Sequence, residues 1–182
     1  KPYNEFSIAI FITYGKKGLP FLSLMSQKFR SCYEMYIWHL PVTTEIARRG
    51  GVDLYGFPKF LAGIDFTHGS NKTTCVLSEK KKHIITLEGP VLPVKQGSTI
   101  RYNMYPVYQG ITVLGRADFL NHQFSETRDT GEVRLTIGDG HPLCSELKSI
   151  DLSPKPFLYQ YIPSCESVLY GPRNLSEIRK AA

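Results

Sequence analysis

Tyr3-Asn4-Glu5-Phe6-Ser7-Ile8-Ala9-Ile10-Phe11-Ile12-Thr13 alternates along its length. Phe6, Ile8, Ile10 and Ile12 fall on one side of an extended chain, and Tyr3, Glu5, Ser7, Ala9 and Thr13 fall on the other, the period of a β-strand. One face is apolar and one is mixed. After the turn Gly15-Lys16-Lys17-Gly18, the aromatic and branched runs Leu19 to Met25 and Tyr33 to Leu40 predict two further strands. Beyond Phe60 the short runs Gly63 to Thr67, Thr73 to Leu77, His83 to Leu87, Ile100 to Tyr105, Ile111 to Phe119 and Glu132 to Ile137 are separated by turn residues such as Gly97-Ser98 and Asp129-Thr130-Gly131. That spacing predicts a mainly β (α+β) fold, an antiparallel sheet closed into a barrel. Pro142 to Leu147 reads as a helical turn and Phe157 to Leu169 as a last mixed segment before a polar tail from Asn174 to Ala182.

The strand pattern breaks at Pro41-Val42-Thr43-Thr44-Glu45, where a threonine followed by an acidic residue supplies a helix N-cap and a favourable first-turn charge. Ile46, Ala47, Gly50 and Leu54 are spaced three or four apart on one side of the helix that follows. Pro58 excludes the residue before it from helical geometry, so the helix ends at Gly56-Phe57-Pro58. The pair Gly50-Gly51 costs this helix stability.

Composition narrows the function. The 182 residues are 42% hydrophobic, 21% charged and 12% aromatic, the balance of one globular domain over 1–182 rather than a tail, coiled coil or collagen. The longest apolar stretch, Phe6 to Tyr14, is well short of the ~20 residues a membrane helix needs, so no membrane association is expected. The opening Lys1-Pro2-Tyr3 has no signal-peptide pattern and leaves an upstream segment open. Net charge is +6, but the clusters Lys80-Lys81-Lys82-His83 and Lys16-Lys17 sit at turns without interleaved aromatics, so they read as solvated loops and not as a nucleic-acid surface. Cys32, Cys75, Cys144 and Cys165 lack CxxC spacing and read as cytosolic free thiols. His39, His68, His83, His122 and His141 show no ligand spacing, and His141 in Gly138-Asp139-Gly140-His141-Pro142 reads as a turn residue. Dinucleotide loop, Walker loop, HExxH and GxSxG elbow are all missing, which lowers the weight of cofactor-dependent classes.

The chemistry concentrates in Gly56-Phe57-Pro58-Lys59-Phe60-Leu61-Ala62, where one lysine follows a helix-ending proline among apolar neighbours. Burial of an amine in such surroundings disfavours its charged form by up to about 3–5 pKa units, the requirement for a nucleophile in Schiff-base chemistry. The bland alternative is a snorkelling Lys59, its stem over Phe57 and its ammonium in water.

Gly56 to Ala62, with the preceding Glu45-Ile46-Ala47-Arg48-Arg49-Gly50-Gly51-Val52-Asp53-Leu54, resembles the signature of the acetoacetate decarboxylase family. Tyr3-Asn4-Glu5 before an alternating strand, Gly131-Glu132-Val133-Arg134-Leu135, and Ile150-Asp151-Leu152 to Val168-Leu169-Tyr170 extend the likeness over nearly the whole chain. The resemblance implies a cofactor-independent, metal-free lyase in which Lys59 forms an imine with a 3-oxo acid, carbon dioxide leaves, and an enamine is protonated and hydrolysed to a ketone. It implies Glu5 as the second catalytic residue. Tyr3, on the same face of the first strand, and Phe57, beside the lysine, are substrate-binding candidates, as is Arg116, whose planar fork suits a carboxylate, with Arg48 and Arg49 as weaker ones. The resemblance also implies a homo-oligomer whose partner is a small oxo acid, and the free-thiol reading of the cysteines places it in the cytoplasm. Two departures stand out. The second lysine that follows the reactive one in well-known members is Phe60 here, and the family's arginine and second glutamate lie upstream of the part represented, so either the chain is a piece or its site lacks them. The open alternatives are an aldolase or dehydratase using the same imine on another oxo acid, and a non-catalytic barrel that binds a small ligand.

Overall fold

The computed structural model describes residues 2–15 and 19–175; the Lys16-Lys17 turn and the tail beyond Leu175 lie outside them. In chain order the elements are β1 (Ile8–Phe11), α1 (Pro20–Phe29), β2 (Cys32–His39), α2 (Glu45–Tyr55), β3 (Gly63–His68), β4 (Lys72–Glu79), β5 (Lys82–Pro90), β6 (Thr99–Met104), β7 (Val107–Tyr108), β8 (Ile111–Thr127), β9 (Arg134–Ile137), α3 (Pro142–Lys148) and β10 (Tyr159–Asn174).

The strands form two open sheets, which overturns the expected barrel. One runs β1-β2-β6-β8-β10 with β7 beside β8, and the other is the antiparallel β3-β4-β5-β9. Closure would need β1 to pair with β10. Instead β1 pairs with β2 alone, and the long β10 spends its pairing on β8, from Tyr159 opposite Thr127 to Asn174 opposite Val113. The sheet is also not wholly antiparallel, because β2 and β6 run parallel from Cys32–Arg101 to Met35–Met104. β3, β4, β5 and β9 build a second sheet because they have a core of their own. Ile64, Cys75, Leu77, Ile84 and Ile85 pack with Leu143, Cys144 and Leu147 of α3, and Phe6, Ile8, Trp38 and Phe60 close over them. Leu77 and Ile84 are fully buried, each worth roughly 1.5–3 kcal/mol.

Leu19 to Met25 is the other correction, since it lies in α1 and not in a strand. Its Leu, Phe and Met are not β-branched and do not alternate with polar residues, while Pro20 at the first turn has a backbone angle suited to a helix. Each remaining strand reading overlaps an observed element, most within three residues at each end, while β1 begins five residues after Tyr3, β8 runs eight past Phe119 and β10 five past Leu169.

α2 ends as its sequence requires. Gly56 takes the left-handed conformation (φ 68°), Gly56 N–H donates to the Val52 carbonyl and Phe57 N–H to that of Gly51, both at 3.0 Å. A side chain at Gly56 would also collide with β7, an added Cβ lying 2.5 Å from the Val107 carbonyl oxygen. At the other end Thr44 is the N-cap residue by backbone shape, but its side chain makes no capping hydrogen bond. His141 does cap a helix: its Nδ1 accepts the Leu143 N–H at 3.1 Å at the start of α3, and its Nε2 lies 2.8 Å from a Glu79 carboxylate oxygen.

Candidate active site

Three extended segments bring the site together. Residues 4–6, 40–43 and 58–62 lie side by side, the middle one antiparallel to the first and parallel to the third. Phe6 N–H donates to the Pro41 carbonyl (3.0 Å) and Thr43 N–H to that of Asn4 (3.1 Å). On the other flank Leu40 N–H donates to Pro58 (3.2 Å), Val42 N–H to Phe60 (2.9 Å) and Ala62 N–H to Val42 (3.0 Å). α2 is the connection that lets the third segment run parallel to the second. Because Glu5 and Leu61 both register on Val42, and side chains alternate along a strand, Glu5 and Lys59 emerge on the same face.

There Lys59 Nζ donates to Glu5 Oε2 at 2.5 Å and lies 5.8 Å from the centroid of the Tyr3 ring. The Lys59 side chain is only 8% exposed, so it does not snorkel. Its stem lies on α2 at Gly51: a Cβ added there would fall 2.3 Å from Cδ and 2.4 Å from Cε, whereas a Cβ at Gly50 would meet nothing within 4 Å. The glycine that weakened the helix reading is the groove that seats the lysine. Phe57, 4% exposed, stacks on Tyr55 at 5.6 Å beside it. Phe60 points the other way and packs into the core around α3, so a lysine at that position would not enter this site.

Lys59, Glu5, Tyr3 and Phe57 line one cavity of about 650 Å³. Its wall is the inner face of the six-stranded sheet, with Met35 and Ile37 from β2, Met104 from β6, Ala117 and Phe119 from β8, and Leu169 from β10. Among the lining residues Lys59 and Glu5 alone carry a formal charge. Tyr102 also lines it, its phenol pushed up to about 12 by burial and by the neighbouring Tyr33 and Cys165, and so protonated at neutral pH. Sequence reasoning missed Gly51 and this wall. The signal for the wall was the alternation Gly115, Ala117, Phe119, Asn121 within β8.

The family model for acetoacetate decarboxylase (ADC) matches residues 1–152. The chain belongs to the acetoacetate decarboxylase family. No curated protein matches it. Among solved structures it is similar to one of acetoacetate decarboxylase (18% identity, TM-score 0.64, covering 94% of this chain and 66% of that one). It is also similar to the enduracididine biosynthesis enzyme MppR complexed with pyruvate (14%, 0.57, 94% and 65%). A third likeness is to an acetoacetate decarboxylase-like enzyme from Sphingomonas wittichii RW1 (14%, 0.54, 95% and 69%). At these identities the likeness is one of fold, and this acetoacetate decarboxylase family chain spans about two thirds of the length of those proteins.

The arginines suggested by sequence lie elsewhere. Arg116 does not reach the cavity: it sits between Gly115 and Ala117 on the opposite face of β8, where it and Arg101 both clasp Asp118. Its guanidinium also stacks 4.7 Å from the Tyr170 ring. Arg48 and Arg49 are tied to Glu45, at 2.6 and 2.9 Å, and hold its carboxyl near 2. Among the described residues no three His, Cys, Asp or Glu side chains come together as a metal site, and no helix is long and apolar enough to cross a membrane.

The Arg101 and Arg116 guanidiniums hold the Asp118 carboxyl well below the usual carboxylate range. A folded-state value below the unfolded one stabilises the protein above the unfolded value near 3.9 and is lost as pH falls below it. Asp118→Asn is therefore expected to cost about 2 kcal/mol at pH 7. The cost should shrink as pH falls from about 4 toward 2, which urea unfolding across that range would show.

Proposed function

We propose that the protein decarboxylates a 3-oxo acid through an imine on Lys59. The observation that carries this reading is a buried lysine amine paired with a carboxylate at the charged end of an otherwise uncharged, largely apolar cavity. Lys59 Nζ attacks the substrate's C3 carbonyl, and Glu5, already hydrogen-bonded to that nitrogen, takes the proton the amine must lose. The carbinolamine then loses water to give a protonated imine. As the bond from C2 to the carboxylate breaks, its electron pair flows to the imine nitrogen, and carbon dioxide and a neutral enamine result. Protonation at C2 and hydrolysis release the ketone and the free lysine.

The cation formed along the way is held by two groups, the Glu5 carboxylate and the face of Tyr3. The ring contributes roughly 0.5–2 kcal/mol according to how far the site is desolvated. The apolar wall favours the step in which the substrate's negative charge disappears, because a charge is costly in such surroundings.

The likeness to MppR keeps a second reading in view, in which the same imine serves a pyruvate-like 2-oxo acid. Product analysis separates the two. Acetoacetate is expected to yield acetone and carbon dioxide in equal amounts, and Glu5→Gln is expected to lower kcat by about 10²–10⁴-fold. Turnover of pyruvate with an aldehyde but not of acetoacetate would select the second reading, and turnover of neither would leave a binding protein.

A further inference from the structure

We infer that the substrate is a medium-chain 3-oxo acid carrying an unbranched apolar tail, with acetoacetate a poor member of the class. This rests on the decarboxylase reading above and adds what lies on the far side of the ketone. The cavity of about 650 Å³ is within the range of sites that enclose drug-sized ligands. At about 30 Å³ per water-sized group it has room for roughly twenty such groups, about three times what acetoacetate supplies.

The shape is elongated. Phe57 marks one end, its ring tip 3.7 Å from where a Cβ on Gly115 would lie. Asn121, six residues further along the same strand, lines the other, about 20 Å away at the rise of an extended chain. Between them the wall is Met104, Ala117, Phe119 and Leu169, apolar apart from Tyr102 and Ser167, and both formal charges sit at the Lys59 end. Among the described residues no cation lines the tail end, so a second carboxylate there would be unpaired, which disfavours oxo diacids. An alkyl tail would displace water from the apolar stretch at Met104, Ala117, Leu169 and Phe119, short of Asn121 and Cys165 at the far end.

The direct test is kcat/KM for acetoacetate, 3-oxohexanoate, 3-oxooctanoate and 3-oxodecanoate with the unmodified protein. Each added methylene is expected to raise it about three- to fourfold, giving at least a fiftyfold rise from acetoacetate to 3-oxooctanoate. Ala117→Leu narrows the wall and is expected to lower the ratio of 3-oxooctanoate to acetoacetate at least tenfold. A flat or falling series would overturn the inference while leaving the decarboxylase reading intact. Calorimetric binding of decanoate and butyrate gives a readout that needs no chemistry. Tighter binding of decanoate by at least tenfold supports the apolar tail site even if no oxo acid is turned over, and equal affinity refutes it.

Discussion

Replacing Lys59 with alanine or arginine is expected to lower turnover of a 3-oxo acid by at least about 10⁴-fold with the fold intact, since the covalent route is removed and not weakened. The arginine variant is the more telling. It keeps the positive charge beside Glu5 and an aliphatic stem for the Gly51 groove, but its guanidinium stays protonated and forms no imine. If Lys59 served only as an ion-pair partner, arginine would largely replace it. Loss of the ion pair should change stability little in either variant, because Glu5 is 37% exposed and can be solvated once its partner is gone. An ion pair whose carboxylate reaches water is worth about 1 kcal/mol, a Tm change of about 2–4 °C in a chain of this size, and the alanine variant loses in addition the packing of a Lys59 stem that is 8% exposed. Circular dichroism melts beside the kinetics check both halves of the expectation.

The second large effect is expected at a residue with no side chain. Gly51→Ala places a methyl group where the Cδ and Cε of Lys59 now lie, and those atoms belong to a flexible chain that can swing away. The helix loses nothing by the change, and alanine favours it by up to about 1 kcal/mol. What moves is the amine. Displacement of a reacting group by about 1 Å is enough to cost roughly 10²-fold, so Gly51→Ala is expected to fold normally and lose at least that much in kcat. Gly50→Ala is the control, with the same helix and the same propensity gain but open space at the added carbon. It should retain activity and melt about 2–4 °C higher. Equal activity in the two variants would remove Gly51 from the site.

Local periodicity made most elements readable before the structure. The mixed face of the first strand placed Tyr3 and Glu5 together and away from Phe6 and Ile8, and the structure keeps that division: the first pair lines the cavity and the second covers the core around α3. The turn chemistry at Gly56 and Pro58 fixed where α2 stops and therefore where the extended segment that carries Lys59 begins. Long-range pairing was not readable in the same way. Whether a sheet closes depends on which strands meet at its edges, and nothing local to Ile8–Phe11 or Tyr159–Asn174 says that they do not pair with each other. Arg116 shows the same limit at one residue. Its strand was recognised, but its face depended on register, and alternation with Ala117 turned it toward Asp118. Gly51 was seen only as a weak point in a helix, because the atom that explains it belongs to Lys59, eight residues later and folded back across the groove.

The most direct measurement of the central claim is reduction with borohydride in the presence of acetoacetate, followed by peptide mass spectrometry. An irreversible adduct on the peptide that carries Lys59, missing when either the acid or the borohydride is left out, is the expected result. A folded protein that consumes acetoacetate yet carries its adduct on another lysine, or none at all, would contradict it.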